Sequence, residues 1–413
     1  MNDYINCNTD FHLHGLYSGA VSRDMIPAKI AEQAPLKGLN LVSTGDILNA
    51  RWIKLIKEQL KQIDDSILEH ENGTKFILQA EINDMNRVHH LILFPSFSKV
   101  EELREAFKNR CKDLDTDGRP TIHMNGEEIA EICAKADCLL GFSHAFTPYF
   151  GIFSKYDSYK ECYGKYWNKI YFMELGLSAD TNMADRISEL HNLTFTSNSD
   201  AHSPWPNKMG REFNALQLKE ITFDEVKKTL KRENGRKCIL NIKFNPLEGK
   251  YHKTRCTGCL KFYEPEEAIK LKWRCSNCNK SIKKGVDYRI HELSDLPENK
   301  HPDHRPECKY VIPLSEIIAL ALNINNAWSV KVQSLWKKFI DHFGNEIKVL
   351  LGSDINEVRK IDKKVAEYLQ YFRENKIKYI PGGAGVYGKL INPGEEVNIN
   401  TLKKEQYSLK DFS

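Results

Sequence analysis

The chain has 413 residues, enough for two or three domains of about 100–200 residues each. Its 60 lysines and arginines against 56 aspartates and glutamates give a net charge of +4, so overall charge alone does not indicate a nucleic-acid partner. Because the N-terminus lacks the apolar core of a secretory signal and the longest apolar stretch is residues 317–322, we expect a soluble, cytoplasmic protein without a membrane partner.

Short apolar runs alternate with helical patterns over residues 1–245, which predicts a layered α/β domain. The predicted strands are residues 40–43, 76–80, 91–94, 138–142, 170–174 and 194–197. Residues that can bind metal recur at or just beyond the ends of these strands, namely Asp46, Glu81, His144 and Asp200. This pattern favours one shared metal site.

Two short motifs alternate metal-binding side chains with small or apolar residues, Asp-Phe-His-Leu-His at residues 10–14 and Ser-Asp-Ala-His at residues 199–202. On a β-strand, residues two apart point to the same face, so each motif aims two ligands into one pocket. Imidazole nitrogen and carboxylate oxygen together form a ligand set for zinc, iron or manganese. A single strand histidine is more often structural than a ligand, but the whole set favours a metal-dependent enzyme.

Four of the 11 cysteines form two Cys-x-x-Cys pairs at residues 256–259 and 275–278. Two such pairs at this separation supply four thiolates, Cys256, Cys259, Cys275 and Cys278, for a structural zinc ion in a reducing compartment. The basic residues around the pairs are Lys253, Arg255, Lys261, Lys270, Lys272, Arg274, Lys280, Lys283 and Lys284, with Phe262 and Trp273 among them. This composition indicates either contact with phosphate backbones and bases or a solvated surface.

Beyond the cysteine pairs, a polar stretch at residues 294–305 is followed by helical patterns from residue 313 to about residue 376. A glycine-rich turn at residues 381–388 then precedes a lysine-rich tail. The turn lacks the Gly-Lys-Ser or Gly-Lys-Thr ending of a phosphate-binding P-loop. We interpret it either as a loop whose glycines let a ligand approach the backbone or as a plain tight turn.

In their order along the chain, the metal-binding residues resemble the polymerase and histidinol phosphatase (PHP) superfamily. The resemblance implies a distorted (β/α)7 barrel that holds two or three divalent ions at the C-terminal ends of its strands. The metal ligands that it implies are His12, His14, Asp46, Glu81, His90, His144, Asp200 and His202. Asp46 stands where a histidine is usual, and Ala20 stands where some members carry a further ligand. His89, next to His90, stays an alternative.

Within the superfamily, residues 172–178, 197–204 and 210–212 resemble archaeal and bacterial endonuclease Q, as does the order of the parts along the chain. The resemblance implies a DNA repair endonuclease that cuts on the 5′ side of hypoxanthine, uracil, xanthine and abasic sites after the damaged base is flipped out. The implied active-site ions are Zn²⁺, alone or together with Mg²⁺ or Mn²⁺. Glu81 and Asp200 are the implied catalytic residues.

Two further residues near these motifs are candidates for the site. Arg211 is a third catalytic candidate that would hold the scissile phosphate through a bidentate contact, with a structural salt bridge as the alternative. Glu174 is interpreted as a support for the metal ligands rather than as a ligand.

The predicted domains are a catalytic PHP domain at residues 1–245, a zinc-binding module at 246–300, a helical DNA-binding region at 301–400 and a tail at 401–413. The tail resembles the peptide that docks on the sliding clamp, through Gln406, Leu409 and Phe412, although the final aromatic residue of that peptide is replaced by Ser413.

Two alternative functions remain open from the sequence. A small-molecule phosphatase would hydrolyse histidinol phosphate or similar esters and would not need the basic zinc module. A non-catalytic DNA-binding protein would carry a degenerate metal site. Metal analysis separates an enzyme from this last alternative, because three or four ions per chain favour an enzyme and one favours a degenerate site.

Overall fold

The computed structural model describes residues 4–395, which form a mixed α/β fold. Its strands are β1 (Ile5–Asp10), β2 (Leu41–Ser43), β3 (Lys61–Gln62), β4 (Ile67–Glu69), β5 (Lys75–Ile77), β6 (Gln79–Asn83), β7 (His89–Leu93), β8 (Leu139–Phe142), β9 (Phe172–Glu174), β10 (Thr194–Thr196), β11 (Phe213–Leu218), β12 (Lys237–Lys243), β13 (Arg255–Cys256), β14 (Ile282–Lys283), β15 (Glu307–Tyr310), β16 (Lys378–Ile380) and β17 (Lys389–Ile391). Its α-helices are α1 (Pro27–Lys37), α2 (Ala50–Gln59), α3 (Phe97–Phe107), α4 (Gly126–Lys135), α5 (Tyr159–Tyr163), α6 (Thr181–Ala184), α7 (Phe223–Lys231), α8 (Pro265–Lys270), α9 (Val286–Leu293), α10 (Leu314–Ala321), α11 (Val330–Phe343), α12 (Ile355–Ile361) and α13 (Lys363–Arg373).

Local side-chain chemistry sets the ends of several helices. The Asn49 side chain accepts hydrogen bonds from the first backbone N–H groups of α2, which otherwise have no partner. Asn125 and Glu128 form a reciprocal capping box at the start of α4. Helix α1 ends at Gly38, whose φ of 107° lies in the left-handed region that glycine adopts without strain.

Two large sheets position the candidate site. One has the strand order β15-β12-β11-β1-β2-β5-β4-β3, and the other has the order β10-β9-β8-β7-β6. Strands β1, β2 and β5 are parallel neighbours, so their carboxyl ends meet at one edge. An isolated parallel bridge between Leu13 and Ala201 connects the segments that follow β1 and β10. The two histidine motifs are therefore brought side by side.

The mixed α/β class is confirmed, whereas a closed seven-stranded barrel is not shown by the described residues. Their large sheets are separate in backbone pairing, and β7 pairs antiparallel with both β6 and β8. Five predicted strands match β2, β7, β8, β9 and β10 to within two residues at each end. The predicted strand at 76–80 is interrupted at Leu78, where the chain passes from one sheet to the other.

The C-terminal helices share their core with the N-terminal half of the chain. Trp52 near the start and Ile317, Phe339 and Leu369 in the helical region belong to one cluster of buried apolar residues. Strand β15, which follows the polar stretch at 294–305, pairs parallel with β12 and so joins the first large sheet. The domain limits drawn from composition stay predictions.

The cysteine-rich segment has a small core of its own. Antiparallel strands β13 and β14 and helix α8 enclose Tyr263, Ala268 and Ile282 together with two of the paired cysteines. No helix within residues 4–395 is long and apolar enough to cross a membrane. The predicted clamp-docking residues Gln406, Leu409 and Phe412 lie outside the described residues.

Candidate active site and metal sites

The end of β1 is fixed against the segment that follows β10. The buried carboxylate of Asp10 accepts hydrogen bonds from the backbone N–H groups of Ser199 and Gly210, each at 3.1 Å. Burial raises the pKa of Asp10 to about 6, although these hydrogen bonds favour its charged form. Asp10 therefore ties the two histidine motifs together, and it belongs to none of the ligand groups described next.

Three groups of side chains each bring potential metal-ligand atoms within 4.8 Å of one another. The groups are His12, His14 and Glu81; His14, Asp200 and His202; and Glu81, His89 and His144. Because His14 and Glu81 each belong to two groups, the three form one continuous cluster. The structure thus brings together six of the eight predicted metal ligands.

His12 offers a direct test of whether this cluster fits metal ions. Its buried Nε2 has no hydrogen-bond partner in the structure. It lies 3.5 Å from Oε1 of Glu81 and 3.6 Å from Oδ1 of Asp200. A buried polar atom without a partner needs an explanation, and a divalent cation between this nitrogen and the two carboxylates supplies one.

The cluster holds strongly opposed charges when no metal is bound. Burial disfavours protonated His14, but the carboxylates of Asp46, Asp200 and Glu81 outweigh it and raise the pKa of His14 to about 9. Burial also disfavours ionised Glu81, yet His89 and His12 hold the pKa of that carboxyl well below its usual range. Negative charge concentrated around imidazoles is the environment that attracts divalent cations.

Two carboxylates orient the rings of His12 and His14 by contacting Nδ1, the ring nitrogen that faces away from the ligand cluster. Nδ1 of His12 lies 2.8 Å from Oε2 of Glu174, and Nδ1 of His14 lies 3.1 Å from Oδ1 of Asp46. In metal sites such contacts fix the ring and leave Nε2 for the ion. Asp46 was predicted as a ligand, but the structure places its carboxylate on the far nitrogen of His14, where it also accepts hydrogen bonds from Gly15 and Ser18.

The register of β7 against β6 places His89, rather than His90, in the cluster. Glu81 pairs with Leu91, and side chains two apart on a strand share a face, so His89 lies on the face of Glu81. Nδ1 of His89 lies 3.0 Å from Oε1 of Glu81 and 3.2 Å from Nε2 of His144. The structure thus brings His89, the alternative, into this cluster and not the predicted ligand His90, which points to the opposite face and meets Asp84.

Several site residues have left-handed backbone conformations that side chains rarely adopt. The φ angles are 43° at Asp46, 28° at His144 and 48° at Asp200. Such strain collects at functional sites, where the surrounding structure holds it in place. Asp200 and His202 have side chains 29% and 32% exposed, so the cluster opens to solvent on their side.

Two arginines border the cluster, and the sequence pattern indicated only one of them, Arg211. Nη1 of Arg119 lies 3.3 Å from Oε2 of Glu81, on a loop whose Asp-Gly-Arg-Pro sequence indicates only a turn. Arg211 donates from Nε and Nη2 to the carbonyl oxygen of Ser199, at 3.2 Å each. Arg211 thus holds the backbone beside Asp200, and its predicted phosphate contact stays a prediction.

The four paired cysteines converge as their spacing predicts. One sulfur from each of Cys256, Cys259, Cys275 and Cys278 lies within 4.8 Å of the others. The backbone N–H groups of Gly258 and Asn277 donate to the sulfurs of Cys256 and Cys275, as in thiolate turns around a metal ion. The cluster fits one closed, four-thiolate ion, and this donor set favours zinc.

The glycine-rich turn uses its glycines to pack closely against residues 247–253. A Cβ on Gly383 would lie 2.5 Å from the carbonyl oxygen of Lys253, and a Cβ on Gly388 would lie 2.5 Å from that of Leu247. Side chains cannot replace these hydrogens without moving the backbone. Close packing within the chain therefore accounts for these glycines, in agreement with the tight-turn interpretation.

Comparison with known proteins gives strong matches over nearly the whole chain. The crystal structure of the lesion-specific endonuclease PfuEndoQ from Pyrococcus furiosus is 44% identical, with a TM-score of 0.90, and the match covers 97% of this chain and 98% of that one. A structure of endonuclease Q in complex with a 27-mer duplex substrate, with an abasic lesion at the active site, is also 44% identical, with a TM-score of 0.91. That match covers 97% of this chain and 99% of the other.

Two further relatives and one family model match in sequence. The protein MJ0043 of Methanocaldococcus jannaschii is 46% identical over 252 residues, but that match covers 60% of this chain and 31% of the relative. The protein YqxK of Bacillus subtilis is 29% identical over 374 residues, 87% of this chain and 91% of the relative. Residues 313–376 match the family described as the MJ0043 C-terminal domain.

Proposed function

The chain belongs to the endonuclease Q family, and from that premise we propose that it is a lesion-specific DNA repair endonuclease. It would hydrolyse the phosphodiester on the 5′ side of hypoxanthine, uracil, xanthine and abasic sites. The observation that carries the metal-dependent chemistry is the buried Nε2 of His12, which has no partner and faces the carboxylates of Glu81 and Asp200. The specificity for lesions is supported by the 44% identity to endonuclease Q over 97% of this chain.

The residues that would hold two or three ions are those of the three ligand groups, with Glu81 and His14 shared between groups. When bound, divalent cations supply Lewis-acid activation of water and neutralise the charge that develops on the phosphoryl oxygens. The imidazole and carboxylate donors suit Zn²⁺, with Mg²⁺ or Mn²⁺ as alternatives. Glu174 and Asp46 would keep the rings of His12 and His14 in the orientation that this requires.

Arg119 would bind the scissile phosphate. Its guanidinium lies at the edge of the cluster beside Glu81, and its side chain is partly exposed. If cations engage the Glu81 oxygens, the guanidinium is free to donate to another anion. A guanidinium donates two parallel hydrogen bonds to phosphate oxygens, so it would position the phosphodiester and favour its charged transition state.

The open side of the cluster lies at Asp200 and His202, and a DNA strand would approach there. A damaged base would be flipped out of the duplex, at a cost of a few kcal/mol that is lower for mismatched or missing bases. Basic side chains of the zinc module would contact phosphates elsewhere on the duplex, and Lys270, Lys272, Arg274 and Lys280 are exposed and available for this. Other lysines of the module already face acidic partners, as Lys253 faces Asp287 at 2.7 Å.

The decisive experiment uses duplexes that each carry one hypoxanthine, uracil or abasic site, beside an undamaged duplex. We expect a nick directly 5′ to the lesion, no nick in the undamaged duplex and no cleavage after chelation of metal. Hydrolysis of histidinol phosphate without nicking would support the phosphatase alternative instead. Tight binding of damaged duplexes without nicking under any divalent metal would support the non-catalytic alternative.

The tail at 401–413 would dock on the sliding clamp and bring the enzyme to replicated DNA in the cytoplasm. The support for this is the spacing of Gln406, Leu409 and Phe412. A chain ending at residue 404 should lose affinity for the clamp and keep its nicking of free duplexes. Equal clamp binding by the two chains would contradict the assignment.

A further inference from the structure

A second buried cluster lies on the face of β7 opposite to the active site. Asp84, His90 and Cys162 each bring one ligand atom within 4.8 Å of the other two. Their exposures are 0%, 0% and 3%, so they are shielded from solvent. The proposed nuclease chemistry uses none of these three side chains.

Two of the atoms in this cluster have no hydrogen-bond partner. They are Oδ2 of Asp84 and Nε2 of His90, which face each other across 3.4 Å. That separation exceeds the 2.7–3.2 Å range, with a mode of about 2.9–3.0 Å, of N–H···O hydrogen bonds. Two ligands that each lie about 2.0–2.1 Å from a tetrahedral zinc ion are about 3.3 Å apart, which is close to the observed distance.

The remaining polar atoms of the same side chains are already engaged, and they hold the free atoms towards each other. Oδ1 of Asp84 accepts hydrogen bonds from the backbone N–H groups of Asn86 and Val88, at 2.8 and 2.7 Å. Nδ1 of His90 lies 2.8 Å from the hydroxyl of Tyr163. A metal-binding histidine usually bonds through its second nitrogen in this way, and a metal-binding carboxylate is usually hydrogen-bonded as well.

We propose that Asp84, His90 and Cys162 bind a zinc ion that is structural and separate from the active-site ions. One thiolate, one imidazole and one carboxylate match zinc better than a cation that prefers oxygen ligands alone. Three protein ligands leave a fourth position for a ligand such as water. The ion would join the turn after β6, strand β7 and helix α5, and would thereby stabilise the packing of these elements.

The first test compares zinc content in the full chain. After dialysis, the zinc content is measured by inductively coupled plasma mass spectrometry. We expect the Cys162→Ala and His90→Gln proteins to contain one zinc ion fewer per chain than the unchanged protein. Cys7→Ala is the matched control, because Cys7 is an equally buried thiol in a different core cluster, and it should keep the full content. Equal zinc content in all four proteins would overturn the proposal.

The second test needs no substitution and so does not depend on whether a variant folds. The unchanged chain is loaded with ¹¹³Cd and measured by NMR, because the ¹¹³Cd chemical shift reports the number of thiolates bound to each ion. We expect three classes of signal, from the four-thiolate site, from the thiolate-free active site and from a site with one thiolate. Spectra with only the first two classes would refute the site. Neither result depends on whether the protein nicks DNA.

Discussion

Nδ1 of His89 lies 3.0 Å from Oε1 of Glu81, whereas the adjacent His90 points away from that carboxylate. We expect His89→Gln to lower the nicking rate by about 10²-fold or more, because the substitution removes a candidate metal ligand next to Glu81 in the proposed active site. The matched substitution His90→Gln, on the other face of β7, should lower the thermal midpoint far more than the rate per folded molecule. A larger rate loss for His90→Gln would contradict the placement of His89.

The neighbouring residues His89 and His90 also show how much of the site the sequence could predict. The alternation within residues 10–14 and 199–202 is local, so it predicted only that the two ligands of each motif point to the same side. The family resemblance implied that the two motifs meet, and the structure brings them into overlapping ligand groups. The choice between His89 and His90 depends on how β7 pairs with β6, which no pattern within β7 reveals. Arg119 had no local signal, because its proximity to Glu81 arises from a loop that the tertiary fold brings in.

The same distinction holds for the fold. Short apolar runs predicted β8 and β10 well, since a buried strand needs a run of apolar residues whatever its partner. The arrangement of strands into two large sheets follows from non-local pairing, such as that of β15 with β12 across the cysteine-rich segment. Composition changes near residue 245 and so indicates a boundary there, yet it does not show that the later helices pack into the N-terminal core.

Glu81, like His14, belongs to two ligand groups, so its removal should affect more of the cluster than the loss of a residue that belongs to one group. We expect Glu81→Gln to abolish nicking of hypoxanthine-containing duplexes while binding of those duplexes persists, because the change leaves the protein surface intact. Nicking assays and gel-shift titrations on the same preparation measure the two effects. Glu101→Gln, an exposed carboxylate on α3, serves as the control and should change neither. Undiminished nicking by Glu81→Gln would contradict the assignment of the metal ligands.

Arg119 should act on the phosphate rather than on the metal ions. Arg119→Lys keeps the positive charge near Glu81 but loses the paired donors that match two phosphate oxygens. We expect kcat to fall by about 10²-fold, with bound metal unchanged at equal protein concentration. Single-turnover nicking and metal analysis together test this. A loss of metal in step with the loss of rate would show that Arg119 instead supports the ligands.

Metal binding should depend on pH because His14 must lose a proton before it can act as a ligand. Without metal its pKa is raised from 6.5 to about 9, since the surrounding carboxylates outweigh the effect of burial. Protonated His14 therefore stabilises the metal-free protein fully below pH 6.5, and this contribution is lost as pH rises through about 9. Metal affinity should show the opposite trend over that range, rising with pH and levelling above about 9.

Calorimetric titrations of the chelated protein with Zn²⁺ in buffers of different ionisation enthalpy measure both the affinity and the protons released. We expect the proton release from this group to be nearly complete near pH 7, to be halved near pH 9 and to fade only at still higher pH. His14→Gln should remove part of the release, whereas substitution of the half-buried His70, which belongs to none of the ligand groups, should not. An affinity that is constant between pH 7 and pH 9 would contradict the coupling between His14 and the metal.

A buried ion pair joins the N-terminal half to the C-terminal helices, and its loss should destabilise the whole chain. Nζ of Lys37 lies 2.7 Å from Oε1 of Glu346, and the two side chains are 0% and 1% exposed. Lys37→Met leaves the Glu346 carboxylate buried without its cation, which costs about 3–5 kcal/mol in comparable pairs. Adding Glu346→Gln should recover part of this loss, because the buried charge is removed and the amide oxygen can still accept from one of the two N–H donors, Leu314 or Trp336, which bond to different oxygens of Glu346.

Urea unfolding followed by fluorescence and by far-ultraviolet circular dichroism measures the change. Lys337→Met is the matched control, since Lys337 pairs with Asp341 at 2.8 Å but both side chains are more than half exposed. Exposed pairs contribute about 0–1 kcal/mol, so the control should barely move the midpoint. If Lys37→Met unfolded at the same urea concentration as the control, the pair would not stabilise the contact between the two halves. A shift of the fluorescence transition alone would show instead that the C-terminal helices unfold separately.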